Sequence, residues 1–216
     1  MPDHSADRAV LFVDGSNFYH GCSTLGLTGL GRLNYAKVSL KLAGRRAWVA
    51  TRYYVGQVPG TGNLRLAEAQ KKFLEFIRTC DDRMTVHLGR IEPRPAKSQA
   101  AVELGRYLAG LKVRIDPLVY RELVAISTSF AETTVMVEKA VDVMIAIDMV
   151  VMSERNEFDT AYLLSADGDL TPAVEAVRAS GRKVFVASAQ SGARLAASCN
   201  TFIKLRPEWF DDLFGL

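Results

Sequence analysis

Val10-Leu-Phe-Val13 is a short run of apolar, β-forming residues that stops abruptly at Asp14-Gly-Ser-Asn17, four turn-formers in a row. A run this short, apolar on both sides, reads as a strand buried on both faces, and the turn-formers end it at a loop. Strands of that kind belong to parallel sheets covered by helices. The rest of the chain repeats the pattern. Trp48 to Val55 is a second β-rich run, closed by Gly56 and a Pro59-Gly60 turn. Asn63 to Thr79 places Leu66, Phe73, Phe76 and Ile77 among charges, as an amphipathic helix does. Met84 to Ile91 is a third strand, ending at Glu92-Pro-Arg-Pro95.

The pattern returns after residue 132. Thr133 to Val137 is short and β-branched, and Lys139 to Ser153 is a helix apolar nearly all round, expected to be deeply packed. Ala161 to Leu164 is a strand. Thr171-Pro172 opens a helix that stops at Gly181. Lys183 to Ala187 is a strand, Ser191 to Ser198 a small-residue helix, and Thr201 to Leu205 a last strand. Residues 92 to 131 fit least well. Ala100 to Leu111 is read as helix and Val113 to Ile126 as strand-like, together a less regular insertion or extension. Strands alternating with helices predict a mainly parallel central sheet with right-handed crossovers, in one α/β domain over residues 1–216.

Composition excludes several classes. The 216 residues are 49% hydrophobic, enough for a sizeable core. The most apolar run, Val141 to Met152, is too short for a membrane helix and contains Asp142 and Asp148. Met1 to Arg8 is polar and acidic, unlike a secretion signal. Cys22, Cys80 and Cys199 are odd in number and widely spaced, which fits free thiols in a reducing cytoplasm. His4, His20 and His87 are too scattered for a histidine metal site. Net charge is +3, with twelve Lys/Arg against seven Asp/Glu in residues 65–121. A solvated surface explains that excess as well as a polyanion track does.

The acidic residues carry more information. Asp14 follows one strand directly, Asp167 and Asp169 follow another, and Asp142 falls in the first turn of a helix after a third. In a parallel sheet those positions share one edge, where ligands bind. Two carboxylates about 4 Å apart repel by roughly 4 kcal/mol at an effective dielectric near 20. Several converging ones need shared protons, cations or a divalent metal. An all-oxygen donor set without His or Cys suits Mg²⁺ or Mn²⁺. Each aspartate also has a purely structural reading. Asp14 fits an Asx-turn, Asp142 fits the positive end of a helix dipole, and Asp169 fits the N-cap of the helix containing Pro172. Asp167, just before it, gains least from capping. Asp148, about 240° around the helix from Asp142, is expected to be a buried, hydrogen-bonded carboxylate.

Val13-Asp-Gly-Ser-Asn17, Glu138-Lys-Ala-Val-Asp142-Val, Ile147-Asp148, Ser165-Ala-Asp-Gly-Asp169-Leu and Gly181-Arg-Lys-Val-Phe-Val186, in this order, resemble the NYN family of the PIN-like nuclease superfamily. The resemblance implies a three-layer α/β/α fold with a Mg²⁺ or Mn²⁺ site that hydrolyses RNA phosphodiesters. It implies an acidic cluster of Asp14, Asp142, Asp167 and Asp169, with Asn17, Ser16, Ser165 and Asp148 supporting it and Lys139 contacting phosphate. Arg52 is a second candidate for phosphate, and Tyr19, Tyr53 or Tyr54 for stacking on single-stranded RNA bases. A homodimer is possible.

Three rival functions share these residues. A catalytically weak PIN-like module would bind RNA or a protein without cutting. Asp167-Gly-Asp169-Leu-Thr171 resembles the nucleophile motif of haloacid-dehalogenase-like phosphatases, but too little chain follows it for the rest of that fold. Asp14-Gly-Ser16 echoes an adhesion-type metal site, but position 18 is Phe rather than Ser.

Overall fold

The computed structural model describes residues 7–60 and 63–214; the polar start of the chain, with His4, lies outside them. The expected alternation is present. The strands are β1 (Arg8–Asp14), β2 (Ala47–Gln57), β3 (Met84–Lys97), β4 (Glu132–Lys139), β5 (Thr160–Leu164), β6 (Lys183–Ser188) and β7 (Thr201–Lys204). The helices are α1 (Gly15–Thr24), α2 (Tyr35–Ala43), α3 (Leu64–Cys80), α4 (Gln99–Leu111), α5 (Pro117–Ala131), α6 (Val141–Glu154), α7 (Thr171–Ala179) and α8 (Ala193–Ser198). A 3-10 turn, Gly168–Leu170, lies between β5 and α7.

The seven strands form one mostly parallel sheet in the order β4-β3-β2-β1-β5-β6-β7. The chain builds outward from β1 through β2 and β3, then returns to lay β5 against the other side of β1. The strand order therefore reverses between β1 and β5. In an open α/β sheet that switch point leaves a crevice at the carboxyl ends of the two strands.

β1 is the axis of the core. Ala9 to Val13 are at most 1% exposed, and alternate residues enter different clusters. Ala9, Leu11 and Val13 meet α1, α2 and α3 through Phe18, Val38 and Ile77. Val10 and Phe12 meet α6, α7 and α8 through Ile145, Val174 and Leu195. Helices thus cover both faces of the sheet. Phe210 completes the first cluster, with Trp209 and Phe214 packed against it. α7 ends before Gly181, whose φ of +84° suits a residue without a side chain.

Three expectations are corrected. Val113 to Ile126 is not strand-like, because Asp116 caps a helix, its carboxylate accepting from the Leu118 and Val119 amides at 2.8 and 3.3 Å. Pro117 then takes the first helical position, where its missing N–H costs nothing. β3 does not stop at Ile91 but continues through Pro93 and Pro95. Its pairing with β2 ends at Arg90, so the prolines fall where a strand has an unpaired side. α6 is not buried all round. It packs Val141, Ile145 and Met149 into the core but exposes Val143, Ile147 and Val151. Composition made every face of α6 apolar; its neighbours, the sheet and α7, decide which face is covered.

Contacts divide the chain into two units, one of residues 1–90 with 139–216 and one of residues 91–138. The second holds the end of β3, the α4–α5 pair and most of β4.

The start of α6 is set by a close approach. A Cβ on Gly89 of β3 would lie 2.6 Å from the Lys139 carbonyl oxygen and 2.7 Å from Cγ2 of Val141. Gly89→Ala is therefore expected to cost about 1–3 kcal/mol, as overpacking does, and to lower the thermal midpoint. Unchanged stability by chemical denaturation would show that α6 does not press on β3.

Candidate active site at the β1–β5 crevice

Asp14 is the last residue of β1 and is 4% exposed. It caps α1, one carboxylate oxygen accepting from the Asn17 amide at 3.0 Å. Its other oxygen accepts from the Ser165 hydroxyl at 2.9 Å. Ser165, just beyond β5, is itself buried, and its Oγ accepts from the Asp167 amide at 3.0 Å. The Asn17 side-chain oxygen accepts from the Ala166 amide at 2.9 Å. Two loops from adjacent strands are thus stitched together around one buried carboxylate. Gly15 follows Asp14 because a Cβ there would lie 2.7 Å from the Tyr53 ring beneath it.

The other acids sit differently. Asp167 is half-buried and caps the 3-10 turn, accepting from the Asp169 amide at 2.9 Å. The capping roles are therefore the reverse of those expected: Asp167 caps, while α7 starts at Thr171 after Leu170, which supplies no side-chain cap. Asp169 is exposed. Asp142 lies exposed in the first turn of α6, whose entry residue Ala140 has a left-handed backbone and supplies no side-chain cap. α6 begins against Gly89 on β3, two strands from β1, and packs against the 3-10 turn that carries Asp169. Ser16 is half-buried in the first turn of α1, and Lys139 is half-buried at the end of β4. Among the described residues, no three His, Cys, Asp or Glu side chains stand close enough together to share a metal ion.

The donor chemistry nevertheless suits a hard cation: carboxylates, a hydroxyl and an amide oxygen, with no sulfur or imidazole among them. The Thr171 hydroxyl, just after Asp169, is buried with no hydrogen-bond partner among the described residues. A buried hydroxyl of that kind is what a ligand or its water satisfies. The sequence shows Thr171 as a helix start beside Pro172 and as the end of the dehalogenase-like Asp167-Gly-Asp169-Leu-Thr171 run, and neither reading assigns it to the acidic site. Sequence reasoning passed over Arg194. That exposed side chain lies along the acidic loop, its Cδ 3.3 Å from where a Cβ on Gly168 would stand. Nothing in the local sequence ties Arg194 to Asp167; only the packing of α8 does.

Asp148 is fixed as a structural carboxylate. One of its oxygens accepts from Arg52 Nη2 at 2.8 Å, Arg52 Nε at 3.1 Å and the Tyr54 hydroxyl at 2.7 Å. Arg52 is thereby committed to α6 rather than placed for phosphate. Tyr53 and Tyr54 are core residues, and Tyr19 is the exposed one of the three tyrosines. The His87 ring stacks on Tyr54 at 4.8 Å. Burial, then the nearby Arg52 charge, push the His87 pKa below its ordinary 6.5. Burial and the Asp148 carboxylate push the Tyr54 hydroxyl up.

Fold and site together define an α/β protein with a buried aspartate at the switch point of its sheet. The NYN domain family model matches residues 8–206, and the chain belongs to that family. Membership places it among nuclease-related modules. The fold is similar to the crystal structure of a protein of unknown function from Vibrio parahaemolyticus, with a TM-score of 0.57, 16% identity and 100% of each chain covered. No curated protein matches the chain. Among the described residues no helix is long and apolar enough to cross a membrane.

Two outcomes follow for the clamp on α6. Asp148→Asn leaves the Arg52 charge part-buried without its partner, at an expected cost of roughly 1–3 kcal/mol in urea unfolding. Loss of less than a few tenths would mean that the clamp contributes nothing. For His87 the folded pKa lies below the unfolded one. The unfolded chain therefore binds the proton first, and stability is lost as pH falls below about 6.5 and is complete above it. Thermal midpoints at pH 7.5 and 5.5, compared with those of His87→Phe, should show a smaller drop in the variant.

Proposed function

We propose that this protein is a PIN-like, metal-dependent ribonuclease that cuts single-stranded RNA internally by hydrolysing phosphodiester bonds. The observation that carries the reading is the buried Asp14 carboxylate at the β1–β5 crevice, tied through Ser165 to the loop of Asp167 and Asp169. Nuclease-related family membership and the all-oxygen donor set support it.

Asp14, Asp142, Asp167 and Asp169 are the carboxylates that would hold Mg²⁺ or Mn²⁺, and since no three of them stand within direct reach of one ion, side chains would have to move toward it. When bound, such an ion supplies Lewis acidity and a water acidic enough to attack at neutral pH. The protein's own part is position. Ser165 and Asn17 fix Asp14 so that its carboxylate does not turn away when charge builds on the phosphate. Packing of β1 on both faces would limit how far Asp14 can shift, as in-line attack requires. Arg194, beside Gly168, and Lys139, at the entry to α6, are the cations that would bind the substrate phosphates, with Arg52 excluded by its pairing to Asp148. Thr171 would hold a water or a ligand oxygen with its buried hydroxyl.

Asp14→Asn keeps the size of the side chain but removes the charge, and its single oxygen can accept from only one of the Ser165 hydroxyl and the Asn17 amide. With Mn²⁺ and single-stranded RNA it is expected to lower cleavage at least about 100-fold, as loss of a key charged group at such centres does, while the lost hydrogen bond costs only about 1 kcal/mol of stability. Cleavage at the wild-type rate by Asp14→Asn would refute the assignment. RNA binding without metal and without any cleavage by the wild type would favour a binding module instead.

A further inference from the structure

α4 and α5 form an antiparallel hairpin. The Ser127 hydroxyl near the end of α5 donates to the Ala101 carbonyl at the start of α4 at 3.0 Å, and a Cβ on Gly105 would lie 3.3 Å from Ser127 Oγ. Ala101, Leu108 and Ser127 form the buried seam between the two helices. At about 100° per residue, Leu104, Tyr107 and Leu111 fall to one side of the seam on α4, and Val119, Leu123 and Ile126 fall to the same-signed side on α5. Two antiparallel helices bring same-signed flanks to one face, so these six side chains share a face of the hairpin. That face is open: Tyr107 is 67% exposed, Ile126 50%, Val119 47% and Leu104 45%.

We infer that this face is the contact through which two copies of the chain pair, as a four-helix bundle made from two hairpins. An amphipathic helix pair with an uncovered apolar face needs a partner layer, and a two-fold contact asks only that the face match itself. The unit of residues 91–138 carries six Lys/Arg and six Asp/Glu, so two copies meet without net repulsion. Glu103 and Glu122 are the next residues around each helix on the apolar side. An acidic border repels RNA and anionic lipid, which need a basic one. The helices have 13 and 15 residues, each about 20 Å long and about 10 Å wide. Laid side by side they present a face about 20 Å on each edge, roughly 400 Å² in projection, about half of the ~800 Å² that one partner gives to a standard interface, which makes the pairing concentration-dependent.

Sedimentation equilibrium of the full chain over a wide range of concentration tests this. The wild type is expected to be a dimer. Leu123→Glu, a charge at the centre of the face, should weaken pairing roughly 100-fold or more and leave the circular dichroism spectrum unchanged. Ile147→Glu, on the separate exposed stripe of α6, should leave the dimer intact. Hydrogen exchange of the wild type gives a second measurement that does not depend on any variant folding: amides of α4 and α5 should exchange more slowly as concentration rises. A wild type that is monomeric throughout, a dimer unaffected by Leu123→Glu, a dimer lost in Ile147→Glu, or concentration-independent exchange in α4 and α5 would each overturn the inference.

Discussion

The hydrogen bond from Ser165 to the buried carboxylate of Asp14 joins the two halves of the fold at the place where the chain reverses direction across the sheet. A carboxylate that loses most of its water needs donors or a cation in return, because an isolated buried charge costs far more than a marginally stable domain can bear. Here the donors are the Ser165 hydroxyl and the Asn17 amide, supplied by the two loops that border the crevice. Holding that charge therefore also holds the loops in register. The Asn17 side chain repeats the same tie in the opposite direction, accepting from the loop after β5.

Everything else that positions the crevice follows from β1 being buried on both faces. Its alternating residues feed two separate cores, so helices on either side are anchored to the strand that ends in Asp14. α6 is held twice: its entry presses on Gly89, and Asp148 is gripped by Arg52 and Tyr54 of β2. Tyr54 is also the residue of β2 paired with Asp14. The clamp on α6 and the buried aspartate thus share one rung of the sheet.

Much of the fold was legible in the sequence because buried strands of a parallel sheet are short apolar runs ended by turn-formers. Asp14, Ser165 and Asp167 were legible for the same reason, each standing just past such a run. Asp148 was legible as a hydrogen-bonded carboxylate from its place on α6, though it is part-buried rather than buried. Three kinds of information were not local. Which face of α6 is covered depends on α7 and the sheet, so an all-apolar helix was read as wholly buried although Val143, Ile147 and Val151 are exposed. β-branched residues obscure α5 in the sequence, although Asp116-Pro117 as cap and first turn is the stronger signal. α1 and α2 carried no assignment at all, although Asp14 and Asn34 cap them. Arg52 seemed available to a substrate because its partner Asp148 is distant in sequence, and Arg194 seemed unremarkable because only tertiary packing brings it to Gly168.

The proposed function requires the crevice at Asp14 to bind a divalent cation. Crystals grown with Mn²⁺ test it most directly, through the anomalous scattering of the ion. An anomalous peak is expected within coordination distance of an Asp14 oxygen or of a water bound to it, with Asp142, Asp167 or Asp169 completing the shell. A well-ordered crevice with no peak, or Mn²⁺ held only elsewhere on the chain, would contradict it.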